Sequence, residues 1–288
     1  MNRFLLLGML FLLPFELLQA SADIESREYK LMLNPLQFMY GTESSDVINL
    51  IDNAKTTIEL AIDRDVTGTP TLAKQRNVRF YDVASSCQLH NLGYVFRERI
   101  ENGNSEVTLK FRDADRYIAS FEDLSSNTSG AETKLEADLG ANTTTPFKVI
   151  YSHSTTIPNT RTLNDLLDIN THFPGFDSNY ALQDSLSLSL VGNLVIYERV
   201  YKNVMIDLGQ FDAEISVTLW YQGQPTSQQA PLIAELSFKY EDANAEYTSK
   251  VVNRAKQAFM ALQTLSGVDL SATTKTALVY QFNPNFCQ

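Results

Sequence analysis

The sequence predicts an α+β protein built on a closed antiparallel β-barrel, with a charged lumen and helices packed outside. Three observations predict it. Strand after strand carries one apolar and one charged face. Asn102-Gly103 sits between two such strands as a tight turn. Charged residues make up only 20% of the chain, yet they concentrate at strand positions where β propensity disfavours them. If those faces merely met solvent, Thr, Ser and Gln would serve as well. Closing the sheet turns them into a polar lumen.

The hairpin spans Gly93 to Arg112, "GYVFRERIENGNSEVTLKFR". Asn-Gly tolerates positive φ at both central positions of a type I′ turn, so a two-residue loop fixes the register. Arg99 then opposes Glu106, Arg97 opposes Thr108 and Val95 opposes Lys110, all on one face with Arg112 continuing the row. The other face holds Tyr94, Phe96, Ile100, Val107, Leu109 and Phe111, with Glu98 its one charge. In isolation such a charged face is an ordinary solvated one; the rest of the chain argues otherwise.

The remaining elements follow in order. "REYKLML" (27–33) alternates Glu28, Lys30 and Met32 with Tyr29, Leu31 and Leu33. A short helix, 45–54, presents Val47, Leu50 and Ile51 on one side. "TTIELAID" (56–63) and "NVRFYDV" (77–83) read as strands that lead into the hairpin. After a Ser/Asn/Gly loop at 125–130, "ETKLEADL" (132–139) alternates Lys134, Glu136 and Asp138 with Leu135, Ala137 and Leu139. A polar stretch, 142–184, offers one helical segment at 162–169. Strands resume at 193–207, 213–223 and 231–241. An amphipathic helix over 246–265 carries Tyr247, Val251, Ala255, Phe259 and Leu262 at helical spacing. "TALVYQF" (276–282) reads as a closing strand.

Composition bounds the function. Residues 1–22 have Arg3, an apolar run broken by Pro14 and a small-residue Ala20-Ser21-Ala22 site, the pattern of a cleaved secretory leader. The mature chain, 23–288, is then expected as one exported domain, periplasmic or secreted, with no stable membrane association once the leader is removed. The net charge of −11 argues against nucleic-acid and anionic-membrane partners, which need a basic footprint. Any anion site must be a local reversal of sign. Cys87 and Cys287 are either a disulfide tying the C-terminus to the hairpin region or two buried thiols. His90, His153 and His172 lack metal-site spacing, and Gly-rich phosphate loops are absent.

The stretch from Phe80 to Arg112, "FYDVASSCQLHNLGYVFRERIENGNSEVTLKFR", resembles the signature of the CYTH superfamily, the triphosphate tunnel metalloenzymes. There a Tyr/Phe-Asp-Thr strand leads through an apolar-Gly segment to an RxR strand, a turn and a TLK strand. "REYKLML" stands where that family has its N-terminal ExExK strand, "KLEADL" resembles its basic-x-Glu-x-acidic strand, and "LIAELSFKYE" its later acidic strand. The resemblance covers roughly residues 27 to 241 and is loose between 142 and 194. It implies an eight-stranded antiparallel tunnel binding triphosphate-bearing substrates with a divalent metal. Residue by residue, it implies that Lys30, Arg97, Arg99, Lys110, Lys134 and Arg199 contact phosphate. Glu28, Glu136, Asp138 and Glu235 would hold Mg²⁺ or Mn²⁺, with Glu28 and Lys30 closest to the chemistry.

Such a residue set suits phosphate on its own terms. Guanidinium forks fit phosphate bidentately, ammonium groups supply mobile charge, and hard divalent ions take carboxylate oxygens. Ser26 and Ser237 stand where the resemblance places acidic residues, and Glu25 cannot substitute because a one-residue shift points to the other face. Two expectations follow. One is an exported metal-dependent phosphohydrolase acting on triphosphate, short polyphosphate or a nucleoside triphosphate. The other is a non-catalytic polyphosphate or organic-phosphate binding protein of the same fold. Arg112, Lys202 and Lys239 read as solvated charges, Asp82 as a turn cap, and Trp220 as core. Asn127 and Asn142 head sequences that fit glycosylation acceptors.

Overall fold

The computed structural model describes residues 23–288, so the expected leader lies outside the described residues. The chain runs β1 (Ser26–Leu33), α1 (Glu43–Ile62), β2 (Val66–Val83), α2 (Gln88–Asn91), β3 (Tyr94–Glu101), β4 (Asn104–Asp113) and α3 (Arg116–Phe121). It continues through β5 (Glu132–Gly140), β6 (Lys148–Asn159), α4 (Leu167–Asn170), α5 (Pro174–Tyr180), β7 (Leu188–Leu190) and β8 (Ile196–Asp207). It ends with β9 (Asp212–Gln222), β10 (Ile233–Glu241), α6 (Ser249–Leu262) and α7 (Lys275–Phe282). Among the described residues no helix is long and apolar enough to cross a membrane.

The ten strands form one mostly antiparallel sheet. Its order is β3-β4-β6-β5-β1-β10-β9-β8-β2-β7, and β2 pairs β3 as well, so nine strands form a ring to which β7 adds on β2. One pair departs from the expected antiparallel pattern: β1 runs parallel to β5. The resemblance implies eight strands and the ring has nine; β6 falls in the stretch 142–184, where no strand is expected. Its Ser152, Ser154 and Thr156 oppose Glu136, Lys134 and Glu132 of β5. With no charge of their own, they give no alternation to read. The hairpin register is as expected, with Arg97 opposite Thr108 and Arg99 opposite Glu106; Asn102 and Gly103 both have positive φ, as a type I′ turn requires.

Two expected strands are helices. Residues 56–62 continue α1, because Ile58 and Ile62 extend the buried stripe of Val47, Leu50, Ile51 and Ala54 at helical spacing. Asp63 ends it in the left-handed region, with its N–H on Glu59 O. Residues 276–282 lie in α7, capped by Thr274, whose side chain accepts from Ala277 N. In α6 the cap is Thr248. β2 bends past a bulge at Gly68, where a Cβ would meet Asn203 O at 2.2 Å and φ is +91°. Only glycine fits there.

The apolar faces of the strands point away from the ring's interior. One core packs Tyr29, Leu31, Val217, Leu219, Leu236 and Phe238 against α1 and α6, with Phe238 stacked on Tyr29 at 4.7 Å. A second packs Tyr94, Phe96, Val107 and Leu109 against Leu166, Phe173 and Phe176. The third lies at one end of the ring, where Phe80, Val95, Trp220 and Ile233 meet Val279 and Tyr280 of α7. Cys87 and Cys287 are disulfide-bonded there, tying the chain end to the start of α2. With their apolar sides committed to the outer helices, the strands have only their charged sides to turn inward.

Candidate functional site

The inward rows enclose a cavity of about 420 Å³ lined by residues from all nine ring strands and from α7. Ten Lys and Arg side chains and six Glu line it. Asp138 and Glu235 lie behind Lys30 and Lys275 as their ion-pair partners. In a chain of net charge −11, an interior with more cations than acids is the local reversal of sign that an anion site needs.

Each expected residue can be placed. Lys30, Arg97, Arg99, Lys110 and Lys134 all line the cavity, as do Glu28 and Glu136. Glu28 and Asp138 are register partners across the parallel β1–β5 pair, and Lys30 Nζ lies 2.8 Å from Glu28 Oε2 and 2.7 Å from Asp138 Oδ1. Burial by itself would lower the Lys30 pKa, but Asp138 and Glu28 outweigh it and raise it. Burial likewise opposes the Asp138 carboxylate, and Lys30 and Lys110 overcome it, holding Asp138 well below the usual carboxylate range. Glu136 accepts from Ser26 Oγ at 2.8 Å and pairs with Lys110 at 3.5 Å. Glu235 pairs with Lys275 at 2.6 Å.

Arg199 is the exception. It lies on the opposite face of β8, pairing with buried Glu43 and Gln75 and sitting over the Tyr40 ring. Tyr201 and Tyr221 hydroxyls complete that Glu43 cluster. It is a satisfied structural network between β8, β9 and the start of α1. The reason is the two-residue period: Glu198 and Val200 line the cavity, so Arg199 faces out.

Arg97 and Arg99 differ from the other cations. Among the described residues no carboxylate lies within ion-pairing distance of Arg97, whose Nη2 makes a long contact of 3.5 Å to Thr108 and whose Nε is buried without a hydrogen-bond partner. Burial, then the neighbouring Arg99 cation, push its pKa well down. Arg99 approaches Glu106 at 3.7 Å and Glu198 at 4.0 Å, and its pKa too is lowered, first by burial. The Lys110 pKa falls for the same leading reason. Three cations whose charged forms are disfavoured in one enclosed space are an arrangement that a bound anion would relieve.

Several lining residues lie outside the expected site. Arg76 and Glu198 form an ion pair, and Glu198 also accepts from Trp220 Nε1 at 2.8 Å. Burial would raise Glu198; Arg99 and Arg76 hold it down at about 2. Arg112, Lys202 and Lys239, expected as solvated, line the cavity. Strand alternation alone could have found them, once the direction of the charged faces was settled. Lys275 belongs to a helix that reads as a strand. Asp82 is the expected cap: it accepts from the backbone N–H groups of Val83, Leu89 and His90, and from Tyr280 Oη. Trp220 is buried in an apolar cluster, as expected, but on the inward row of β9, where it also lines the cavity.

The carboxylates do not fit a resident divalent ion. Lys30 sits against both Glu28 and Asp138, while Glu136 and Glu235 have cations of their own. Among the described residues no group of three or more His, Cys, Asp or Glu is arranged to hold a metal. Ser26 and Ser237, 1% and 4% exposed, occupy inward positions where acids would have supplied further ligands.

No family model matches the chain, and no curated protein matches it. Solved structures do resemble it. One, from Hippeastrum and described as an adenylyl cyclase candidate with a dominant triphosphatase activity, has 13% identity and a TM-score of 0.44 over 90% of this chain and 96% of that one. A second, an adenylate cyclase candidate from Bacillus halodurans, has 12% identity and a TM-score of 0.36 over 88% and 95%. A third, from Pyrococcus horikoshii, has 10% identity and a TM-score of 0.39 over 90% and 99%. At such identities they say nothing about which side chains act.

Proposed function

We propose that this protein is an exported oligophosphate-binding protein, taking a linear triphosphate or a triphosphate-bearing molecule into a tunnel-like β-barrel. One observation carries the reading: Arg97 and Arg99 project side by side into the cavity, Arg97 without a carboxylate, with Lys110 beside them. Paired guanidinium forks match a chain of phosphate oxygens. The export reading rests on the leader-like first 22 residues and accords with the disulfide.

A second reading, hydrolysis of the bound chain with Mg²⁺ or Mn²⁺, is favoured by the register pairing of Glu28 with Asp138. As placed, these two acids neutralise Lys30, so capture is the better supported of the two. Calorimetric titration of the mature protein with inorganic triphosphate, in EDTA and then with Mn²⁺, tests both while released phosphate is assayed. Binding in EDTA without phosphate release supports capture; release dependent on Mn²⁺ supports the hydrolase; no binding under either condition rejects both.

A further inference from the structure

We propose that the cavity is specific for chain ends: it admits a phosphate chain only by a free terminal phosphate, which seats against Lys275 at the end closed by α7. This rests on the oligophosphate reading above. The closure is physical. Phe80, Val95, Trp220 and Ile233 from the ring pack against Val279 and Tyr280, so an apolar wall stands behind the charged interior. Two anchors hold α7 in place: the disulfide from Cys287 to Cys87, and the Tyr280 hydroxyl on buried Asp82 at 2.9 Å. A chain entering here has no exit on the far side.

The wall is not featureless. Lys275, the first residue of α7, turns its ammonium inward, 2.6 Å from Glu235 and 5.4 Å from the centroid of the Trp220 ring. Thr276 accepts from Arg112 Nη1 at 2.9 Å, bringing a second cation to the same place. A terminal phosphate carries close to two charges near neutral pH, against one for an internal phosphate, and presents three free oxygens. The closed end therefore suits a terminus. At the opposite end the cavity continues into a second space of about 510 Å³ that shares Arg76, Arg99 and Glu106 with the first and is bordered by exposed Lys74 and Asn102. The rest of the chain, or an attached group, leaves that way.

The test is calorimetry on the disulfide-bonded mature protein with three ligands: inorganic triphosphate, ATP, and diadenosine tetraphosphate, whose chain is esterified at both ends. Triphosphate and ATP should bind within about tenfold of each other, and the doubly capped chain roughly a hundredfold more weakly. Lys275→Met should weaken triphosphate binding by roughly tenfold or more, the loss of one charge-assisted contact. The ligand series needs no variant, so a folding defect in Lys275→Met leaves it decisive. Equal binding of the capped chain would overturn the inference while leaving the oligophosphate reading intact. So would an unchanged affinity in Lys275→Met. Failure of triphosphate itself to bind would reject that reading and this one together.

Discussion

The ammonium of Lys30 lies 2.7 Å from Asp138, across the parallel seam between β1 and β5. Each group keeps the other charged: the Lys30 pKa is raised, the Asp138 pKa lowered, both against the pull of burial. Lys30→Met would take from Glu28 its ion-pair partner and leave Asp138 with the more distant Arg112, 3.8 Å away; removing one partner of such a buried pair costs about 3 kcal/mol. Because Asp138 is depressed in the folded state, the stability it contributes is present above about pH 4 and is lost as pH falls through the lower folded value. The deficit of Lys30→Met, measured by urea unfolding, should therefore be largest near neutral pH and shrink below about pH 4.

Glu198 is held ionised in the same sense. Its carboxyl is held at about 2 by Arg99 and Arg76 despite burial. A fall of that size from the unfolded value corresponds to about 3 kcal/mol, complete above about pH 4 and lost as pH drops toward the folded value. Glu198→Gln should unfold at lower urea than the parent from pH 5 to 7, with the two curves converging as pH approaches about 2.

Arg97 should behave in the opposite sense. Its charged form is disfavoured by burial and by Arg99, so Arg97→Met relieves a cost in the ligand-free protein. The thermal midpoint should rise by a few degrees, about what 1 kcal/mol yields in a domain of this size. Triphosphate affinity should meanwhile fall at least tenfold. A variant that loses both stability and affinity would mark Arg97 as a packing residue.

The disulfide closes a loop of 200 residues, for which chain entropy gives a stabilisation of about 5 kcal/mol. Cys287→Ser, or reduction of the parent, should lower the unfolding midpoint. It should also raise amide exchange first in α7, Lys275–Phe282, of which only Val279 and Tyr280 are buried. Uniform exchange throughout would show that α7 is held by packing alone.

Ser26 donates to Glu136 within the acidic row that includes Glu28. Ser26→Glu would set a third carboxylate beside two others. The variant should be less stable than the parent in EDTA, and Mn²⁺ should raise its thermal midpoint more than the parent's. An equal response of both proteins would mean that this row takes no divalent ion even when supplied with the missing acid.

How far the sequence could be read follows from which signals are local. The hairpin was legible because Asn102-Gly103 fixes its register without help from the rest of the chain. Strand alternation within it puts Arg97, Arg99 and Lys110 on one face, while Lys30, and the phosphate-binding role of all four, rest on the family resemblance. Arg199 is ambiguous in the sequence because Glu198 and Arg199 are adjacent charges on β8, and only its pairing with β2 and β9 decides which faces inward. β6 gives no signal because its inward residues are Ser and Thr. Residues 56–62 and 276–282 mix β-branched and aliphatic residues that suit either state. Packing of α1 against α6, and of α7 against the end of the ring, decides them. Lys275 could not be found without knowing where that helix docks.

β1 is held on one side by β5 and on the other by β10, more than 200 residues downstream. β1 thus finds its second neighbour only once residues 234–241 are available. Contacts so distant in sequence make for slow folding, and β1 stays half-paired until its far partner arrives.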